Sequence, residues 1–328
     1  MRMQKPKQKK LKVGFIFVFI ILIVLVLGGL YFAQIVSELN HNDLDKDKLG
    51  IAVPVKDDPN DQSITNIALF GVDRRNDQKD VHSDVIMVMS IDKKHNKIKL
   101  SSIMRDTAVE IEGHGQDKIT KAYFYGGPEL AVKTINQNFN LDIAEYATVD
   151  FKQTATIINA VGGVEINISE EERLDANNSI YEQAAVAGLP QDIIKEAGLQ
   201  ILSGTQAVAY ARIRHVGNSD FERTDRQREV LEKMFHKAIT MNKLQYPEFA
   251  RKMLPAIETS LDIGEILGLS SIMLRDVSFE DLRFPMNSEL IGDGSILISK
   301  NNEALNVDLK SMTEHMRQFI YDDIKPEK

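Results

Sequence analysis

Apolar residues are unevenly spaced along the chain, and their spacing divides it. From Val13 to Phe32 run 20 residues without a charge, 16 of them Val, Ile, Leu or Phe. At about 1.5 Å rise per residue such a helix spans roughly 30 Å, one hydrocarbon core. The pattern predicts a transmembrane helix over 13–36. The apolar run is longer than that of a cleaved signal peptide and no small-x-small site follows it, so it is read as an uncleaved anchor. Residues 37–63 are rich in Asp, Asn and Lys, with Pro54 and Pro59, and predict a polar stalk. Asp43, Asp45 and Asp47 imitate the start of a calcium loop. Lys48 stands where the glycine belongs and Pro54 where the closing glutamate belongs, so they are read as a solvated charge run.

Regular patterning begins at Thr65. Asn66 to Phe70 is a short apolar run stopped by Gly71, which predicts a buried strand. Asp84–Ile91 and Lys97–Ile103 predict two more, joined by a polar turn over Asp92 to Asn96. Helical spacing follows over Pro128–Phe139 and Phe151–Ala160, and Gly162-Gly163 leads into a strand at Val164–Ile166. From about 246 the chain offers further helical segments, strand candidates around Leu282 and Leu297, and a last helix near Ala304 to Tyr321. No Pro/Gly/Ser-rich linker separates this extension, so 64–328 is expected to be one domain. Alternating strands and helices predict an α/β fold with a mixed sheet.

Charge changes the picture at the N-terminus. Arg2, Lys5, Lys7, Lys9, Lys10 and Lys12 precede the apolar run with no acidic residue among them, which holds residues 1–12 in the cytoplasm and the rest outside. This is a single-pass type II arrangement in the cell membrane. The whole chain carries 40 Lys+Arg against 48 Asp+Glu, an acidic balance that argues against a nucleic-acid partner. Without cysteine there is no disulfide framework, thiol nucleophile or thiolate zinc site, so any chemistry runs on oxygen, nitrogen or a hard metal. The sequence has no HExxH, Walker lysine loop or GxSxG. Asn167-Ile-Ser and Asn177-Asn-Ser match the glycosylation pattern, which is short and easily met by chance.

Arginine carries the candidate chemistry. Lysines outnumber arginines 26 to 14 overall, yet between Glu196 and Glu232 lie five arginines and no lysine. The guanidinium is a planar fork of donors suited to phosphate or carboxylate, so the bias suggests recognition. Ser219-Asp220-Phe221-Glu222 resembles a capping box opening a helix whose apolar stripe is Val230, Leu231, Met234 and Phe235. Counting back from that stripe places Arg223 and Gln227 on its inner side, with Arg226 and Arg228 on the flanks. Buried salt bridges to carboxylates such as Asp220 are the equal alternative for these arginines. Arg212-Ile213-Arg214, if extended, points two guanidiniums one way. A second constellation comprises Gly71-Val72-Asp73-Arg74-Arg75, His82-Ser83-Asp84 and Met104-Arg105-Asp106, each at a strand end. Two carboxylates beside arginines can share a divalent cation with a pyrophosphate, although Asp73, Asp84 and Asp106 can equally cap turns or pair with neighbouring arginines.

Taken in order, these blocks resemble the LytR-CpsA-Psr family of Gram-positive envelope proteins. The series is Gly71-x-Asp73, Ser83-Asp84, Ser102-Ile-Met-Arg105-Asp106, Lys118-Ile-Thr-Lys-Ala-Tyr123 with Gly126-Gly127, Val161-Gly-Gly-Val-Glu, Tyr210-Ala-Arg212-Ile-Arg214 and Ser219-Asp-Phe-Glu-Arg223-x-x-Arg226-Gln227. It covers roughly Thr65 to Ile239. His82 replaces the family's arginine and Met104 its proline. The resemblance implies an α-β-α sandwich with a long apolar pocket. It also implies a transferase that moves a glycopolymer from a polyprenyl-pyrophosphate carrier to peptidoglycan through a phosphodiester. By carry-over, Asp73 and Asp84 hold Mg2+ or Mn2+. Arg74, Arg105, Lys118, Arg212, Arg214, Arg223, Arg226 and Gln227 contact the pyrophosphate, with Arg105, Arg212 and Arg214 counted as catalytic beside the two aspartates. Asp84 also helps deprotonate the acceptor, Asp220 supports the site, and Arg74 or Arg75 compensates for His82. Two other readings stand: a surface module that binds lipid-linked precursors without turnover, acting as a regulator or attenuator, and a lipid pyrophosphate hydrolase.

Overall fold

The computed structural model describes residues 40–51, 63–72, 74, 81–187, 191–217, 219–299 and 302–326. The 13–36 segment lies outside them, as do Asp73 and Arg75. No helix among the described residues is long and apolar enough to cross a membrane.

The centre is a mixed seven-stranded sheet in the order β1 (Asn40–His41), β10 (Glu258–Thr259), β7 (Glu145–Asp150), β2 (Ile64–Val72), β3 (Ser83–Asp92), β4 (Lys97–Ile103), β11 (Ser278–Phe284). β2, β3 and β4 form an antiparallel meander, whereas β7 lies parallel to β2 and β11 parallel to β4. Alternation along β2 decides which side chains meet which layer. Ala68, Phe70 and Val72 join a core closed by Val132, Ile135 and Phe139 of α1 (Thr120–Phe139) and by Met312, Met316 and Phe319 of α8 (Leu309–Tyr321). Ile67 and Leu69 belong to a second core with Ile272 and Leu269. The expected mixed α/β architecture is therefore present, with eight α-helices among the described residues.

A smaller core lies beside the sheet. It joins α2 (Phe151–Ala160), β8 (Val164–Ile168), α3 (Glu170–Ala187), β9 (Gly198–Leu202), α4 (Gly204–Tyr210) and Val230 of α5 (Ser219–Thr240). α2 starts where β7 ends because Asp150 and Gln153 form a reciprocal capping box, and Ser203 and Gln206 start α4 the same way. Gly204 lets α4 touch α2, since a Cβ there would lie 1.9 Å from the Ala155 carbonyl oxygen. The remaining elements are the hairpin β5 (Ala108–Ile111)/β6 (Gly115–Lys118), α6 (Tyr246–Met253), α7 (Ile263–Ser270) and the hairpin β12 (Leu290–Ser299)/β13 (Asn302–Val307).

Several sequence expectations need correction. Residues 40–51, assigned to a stalk, pack on the domain: β1 extends the sheet, Leu49 is fully buried, and Asn136 donates to its carbonyl at 2.9 Å. Gly71 does not stop β2, which runs on to Val72. The helix expected over Pro128–Phe139 is present, and a helical stretch from Thr120 that the pattern did not announce precedes it across a kink at Gly126 and Gly127 (φ +63°). Ala304 lies in β13, and the last helix begins after Asp308, whose carboxylate caps the Lys310 and Ser311 amides. Arg212-Ile213-Arg214 is not extended: the Arg212 and Ile213 amides bond back to Ala209 and Tyr210 in a turn that closes α4.

Candidate active site

Register brings together the described part of the first constellation, Asp84 and the Arg105–Asp106 loop. Val72 at the end of β2 pairs with Ser83 at the start of β3 and with Asp150 at the end of β7, while Ile86 pairs with Ile103 near the end of β4. Asp84, the Arg105 loop and the start of α2 therefore share one end of the sheet. There Asp84 accepts a 2.5 Å hydrogen bond from Arg105. Arg105 Nε also lies 3.4 Å from Asp106, whose other oxygen is 2.9 Å from Lys118 Nζ. Lys118 thus belongs to a chain of alternating charges behind Asp84. Thr120 locks the arrangement, its hydroxyl donating to the Ser83 carbonyl and its amide to the Arg105 carbonyl.

The second constellation arrives from α4 and α5. Ile213 is fully buried and pins the turn, leaving Arg212 and Arg214 on the wall of a polar cavity of about 710 Å3. Arg212 sits 4.3 Å above the Phe151 ring, a cation–π contact that sets its direction. The Asp175 carboxylate of α3 accepts the Arg214 amide at 3.2 Å and bonds the His215 ring at 3.0 Å, tying the turn to α3. Arg223 and Gln227, one helical turn apart on α5, line the same cavity, as do Asp84 and Phe151. Arg223 is only 4% exposed.

A second cavity, of about 350 Å3, opens beyond. It lies between the sheet face carrying Leu69, Met87 and Met89 and the α5 stripe Val230, Leu231, Met234 and Phe235. Phe151, Arg212 and Gln227 line both cavities. A polar, arginine-walled chamber thus meets an apolar one at a shared rim. This suits an amphiphile with an anionic head.

Four of the expected pyrophosphate contacts do not line the polar cavity: Arg105 and Lys118 sit in the charge chain around Asp84 and Asp106, and Arg226 and Arg74 do other work. Arg226 is buried and turned away from the cavity: its Nε donates to Glu172 at 2.9 Å and its Nη2 to the Val216 carbonyl and Glu222. It clamps α5 to α3. Glu172 is held below the ordinary glutamate range, because its bonds from Ser169 and Arg226 outweigh the burial that pushes it up. Arg74 pairs with Glu258 at 3.3 Å and does not line either cavity. The buried-salt-bridge alternative was right for Arg226, with Glu172 as the partner. His82 stacks on Phe124 at 4.8 Å between ring centroids.

For a divalent cation the donor chemistry fits in part. Asp84 presents a carboxylate to the polar cavity, and only one of its oxygens is bonded, to Arg105, among the described residues. Hard cations take oxygen ligands. Asp73 lies outside the described residues. Elsewhere, Asp92, His95 and Asp323 approach one another, but at the opposite end of β3 from Asp84. There the buried Lys99 ammonium, 3.4 Å from Asp92 and 3.0 Å from Asp323, already supplies the cation.

Sequence patterns did not reveal the α3 wall of the polar cavity, formed by Asp175, Asn178, Ser179, Tyr181 and Glu182. The one nearby signal, Asn177-Asn-Ser, marks a structural residue: Asn177 is buried and exchanges two hydrogen bonds with the Ile194 backbone.

The LytR_cpsA_psr family model matches residues 29–315. The chain is 30% identical over 229 residues to the polyisoprenyl-teichoic acid–peptidoglycan teichoic acid transferase TagU of Enterococcus faecalis, covering 68% of this chain and 65% of that protein. It is 28% identical to TagU of Bacillus mycoides, over 81% of this chain and 85% of the other. A solved structure of YwtF (TagT) from Bacillus subtilis, with bound octaprenyl pyrophosphate, superposes with a TM-score of 0.61 at 20% identity, covering 85% of this chain and 99% of that one.

Proposed function

The chain belongs to the LytR-CpsA-Psr family, and from that premise we propose that it is a transferase of the cell envelope. It moves a glycopolymer from a polyprenyl-pyrophosphate carrier onto peptidoglycan through a phosphodiester bond. We assign it to the cell membrane, anchored through 13–36 with the folded domain outside. The basic flank and uncharged apolar run support that reading. An anchor keeps the site within reach of a lipid-borne substrate.

One observation carries the reading. Arg212, Gln227 and Phe151 line both the arginine-walled chamber and the apolar one. In our assignment the isoprenoid tail occupies the apolar chamber beneath α5 and the diphosphate lies at the shared rim. A diphosphate resists attack by a sugar hydroxyl until its charge is offset. The guanidiniums of Arg212, Arg214 and Arg223 do this, that of Arg212 directed by the Phe151 ring. Gln227 adds a neutral donor.

The acceptor hydroxyl oxygen, on the muramic acid C6 by the family resemblance, bonds to the glycan-bearing phosphorus. The bridging P–O bond breaks, and polyprenyl monophosphate leaves with the electron pair. We assign the hydroxyl proton to Asp84, because among the described cavity carboxylates Asp175 is committed to the Arg214–His215 backbone and Glu182 lies on α3. Arg105 holds Asp84 in place. Magnesium or manganese, which we assign to Asp84 with Asp73, would add charge neutralisation at the diphosphate when bound.

The test incubates the full chain in detergent with a lipid-pyrophosphate-linked glycan, magnesium and peptidoglycan oligomers. Mass spectrometry should find glycan joined to peptidoglycan by a phosphodiester, and Arg212→Ala should lose it. Release of glycan phosphate whether or not acceptor is supplied would instead identify a hydrolase, and binding without turnover a precursor-binding module.

A further inference from the structure

α7 departs from the pattern of a surface helix, which carries polar side chains on the face turned from the core. Along Ile263–Ser270 the one charge is Glu265, and its carboxylate accepts the Asp262 amide at 2.9 Å in a reciprocal capping box. Ile266 and Leu269 line the apolar chamber. The opposite side presents Gly264, Leu267 and Gly268 at i, i+3 and i+4, all exposed. Leu267 is 51% exposed, and a Cβ at Gly268 would meet nothing within 4 Å. The outward face of α7 therefore offers an apolar side chain and two glycines, and no polar side chain.

The chain around α7 indicates what covers that face. Asn40, the first residue of β1, follows the proposed 13–36 anchor by four chain steps, at most about 14 Å. β1 pairs with β10 through Asn40 and Glu258, and the Asn42 amide donates to the Thr259 carbonyl at 2.9 Å. His41 Nδ1 lies 3.2 Å from the Leu261 carbonyl oxygen, two residues before α7, and Lys46 Nζ is 4.0 Å from Glu265 of α7 itself. The start of α7 is thus tied to the stretch of chain that leaves the lipid.

We propose that α7 docks on the outer leaflet of the membrane. Leu267 enters the lipid interface, and the Ile266–Leu269 side borders the passage by which an isoprenoid tail moves from the bilayer into the apolar chamber. Apolar side chains presented by a helix bind the interface in proportion to the area they bury. One short helix holds weakly alone, but an anchored domain already sits at high local concentration beside the surface, so a small area suffices. The passage rests on the anchor and the two-chamber reading given above.

The chain has no cysteine, so single-cysteine variants each take one fluorophore. Leu267→Cys is compared with Leu199→Cys on β9 and Leu297→Cys on β12, whose leucines are 68% and 72% exposed. The full chain is reconstituted in vesicles of phosphatidylglycerol and phosphatidylethanolamine. A nitroxide on the lipid acyl chains should quench the label at 267 several-fold more than the other two, and aqueous iodide should quench it less. A label at 267 as open to iodide as those at 199 and 297 overturns the docking, whatever the activity. Leu267→Asp changes a residue outside both cavities. It should transfer glycan from vesicle-borne donor roughly tenfold more slowly than the wild type, and at the wild-type rate from donor in detergent. Equal losses in both media, or a loss in neither, refute the passage. Lipid quenching at 267 in a protein whose wild type transfers no glycan from either medium supports the docking and sinks the transferase reading instead.

Discussion

Arg212 reaches the shared rim from a tight turn, its guanidinium aimed by the Phe151 ring beneath it. Replacing it with alanine should weaken octaprenyl pyrophosphate binding by roughly ten- to a hundredfold, the worth of a charge-assisted contact of about 1.5–3 kcal/mol. Arg212→Lys should recover only part of this, since an ammonium cannot reproduce a bidentate fork. Titration calorimetry on the full chain reads both. Arg226, from the same arginine-rich stretch, should behave oppositely. Arg226→Ala strands Glu172 and should cost about 3–5 kcal/mol of stability, seen as a lower melting temperature. Glu172 has a depressed folded pKa, so its stabilisation is complete above its ordinary value near 4.5 and is lost as pH falls through the lower folded value. Melting curves below about pH 4.5 should therefore fall more steeply for the wild type than for Arg226→Ala. The sequence could not separate these two arginines. The partner that turns Arg226 inward, Glu172, lies 54 positions away on another helix, and no local spacing announces it.

At the scale of elements, α5 is the piece that joins the chambers: Arg223 and Gln227 at its first turns, Val230, Leu231 and Met234 further on. Its apolar stripe was legible because a 3.6-residue period projects one face, and counting back along it found Arg223 and Gln227. β2, β3, β4 and α2 were legible for the same kind of reason. The Arg212–Arg214 segment was misread as extended because alternating charge looks the same in a strand and in a turn closing a helix. The α3 wall was missed because its face is polar throughout and carries no periodic signal. Leu231→Trp should narrow the apolar chamber. We expect it to weaken binding of octaprenyl pyrophosphate several-fold while a shorter prenyl pyrophosphate binds nearly as before; equal losses for both chain lengths would argue against a tail beneath α5.

For the whole molecule, two distant constellations, one on the sheet end and one on α4 and α5, must fold against each other before either can hold a ligand. Binding to the folded state alone should raise its stability by about 2.7 kcal/mol at a lipid concentration a hundred times the Kd. The wild type should therefore melt several degrees higher with octaprenyl pyrophosphate, and Arg212→Ala should show a smaller rise at that concentration, about 0.4–1.4 kcal/mol for the ten- to hundredfold weaker binding expected. The ordered series of blocks from Gly71 to Gln227 anticipated that Asp84 would share a cavity with Arg212, Arg214, Arg223 and Gln227. It could not foresee that Phe151 and Arg212 would be shared between two chambers, which depends on how β7, α2 and α4 pack.

A crystal structure of the full chain with octaprenyl pyrophosphate tests that arrangement most directly. The diphosphate should lie within hydrogen-bond reach of Arg212, Arg214, Arg223 and Gln227, with isoprenoid carbons packed against Met87, Leu231 and Met234. A tail lodged outside the α5 chamber, or a diphosphate away from Arg212, would contradict it.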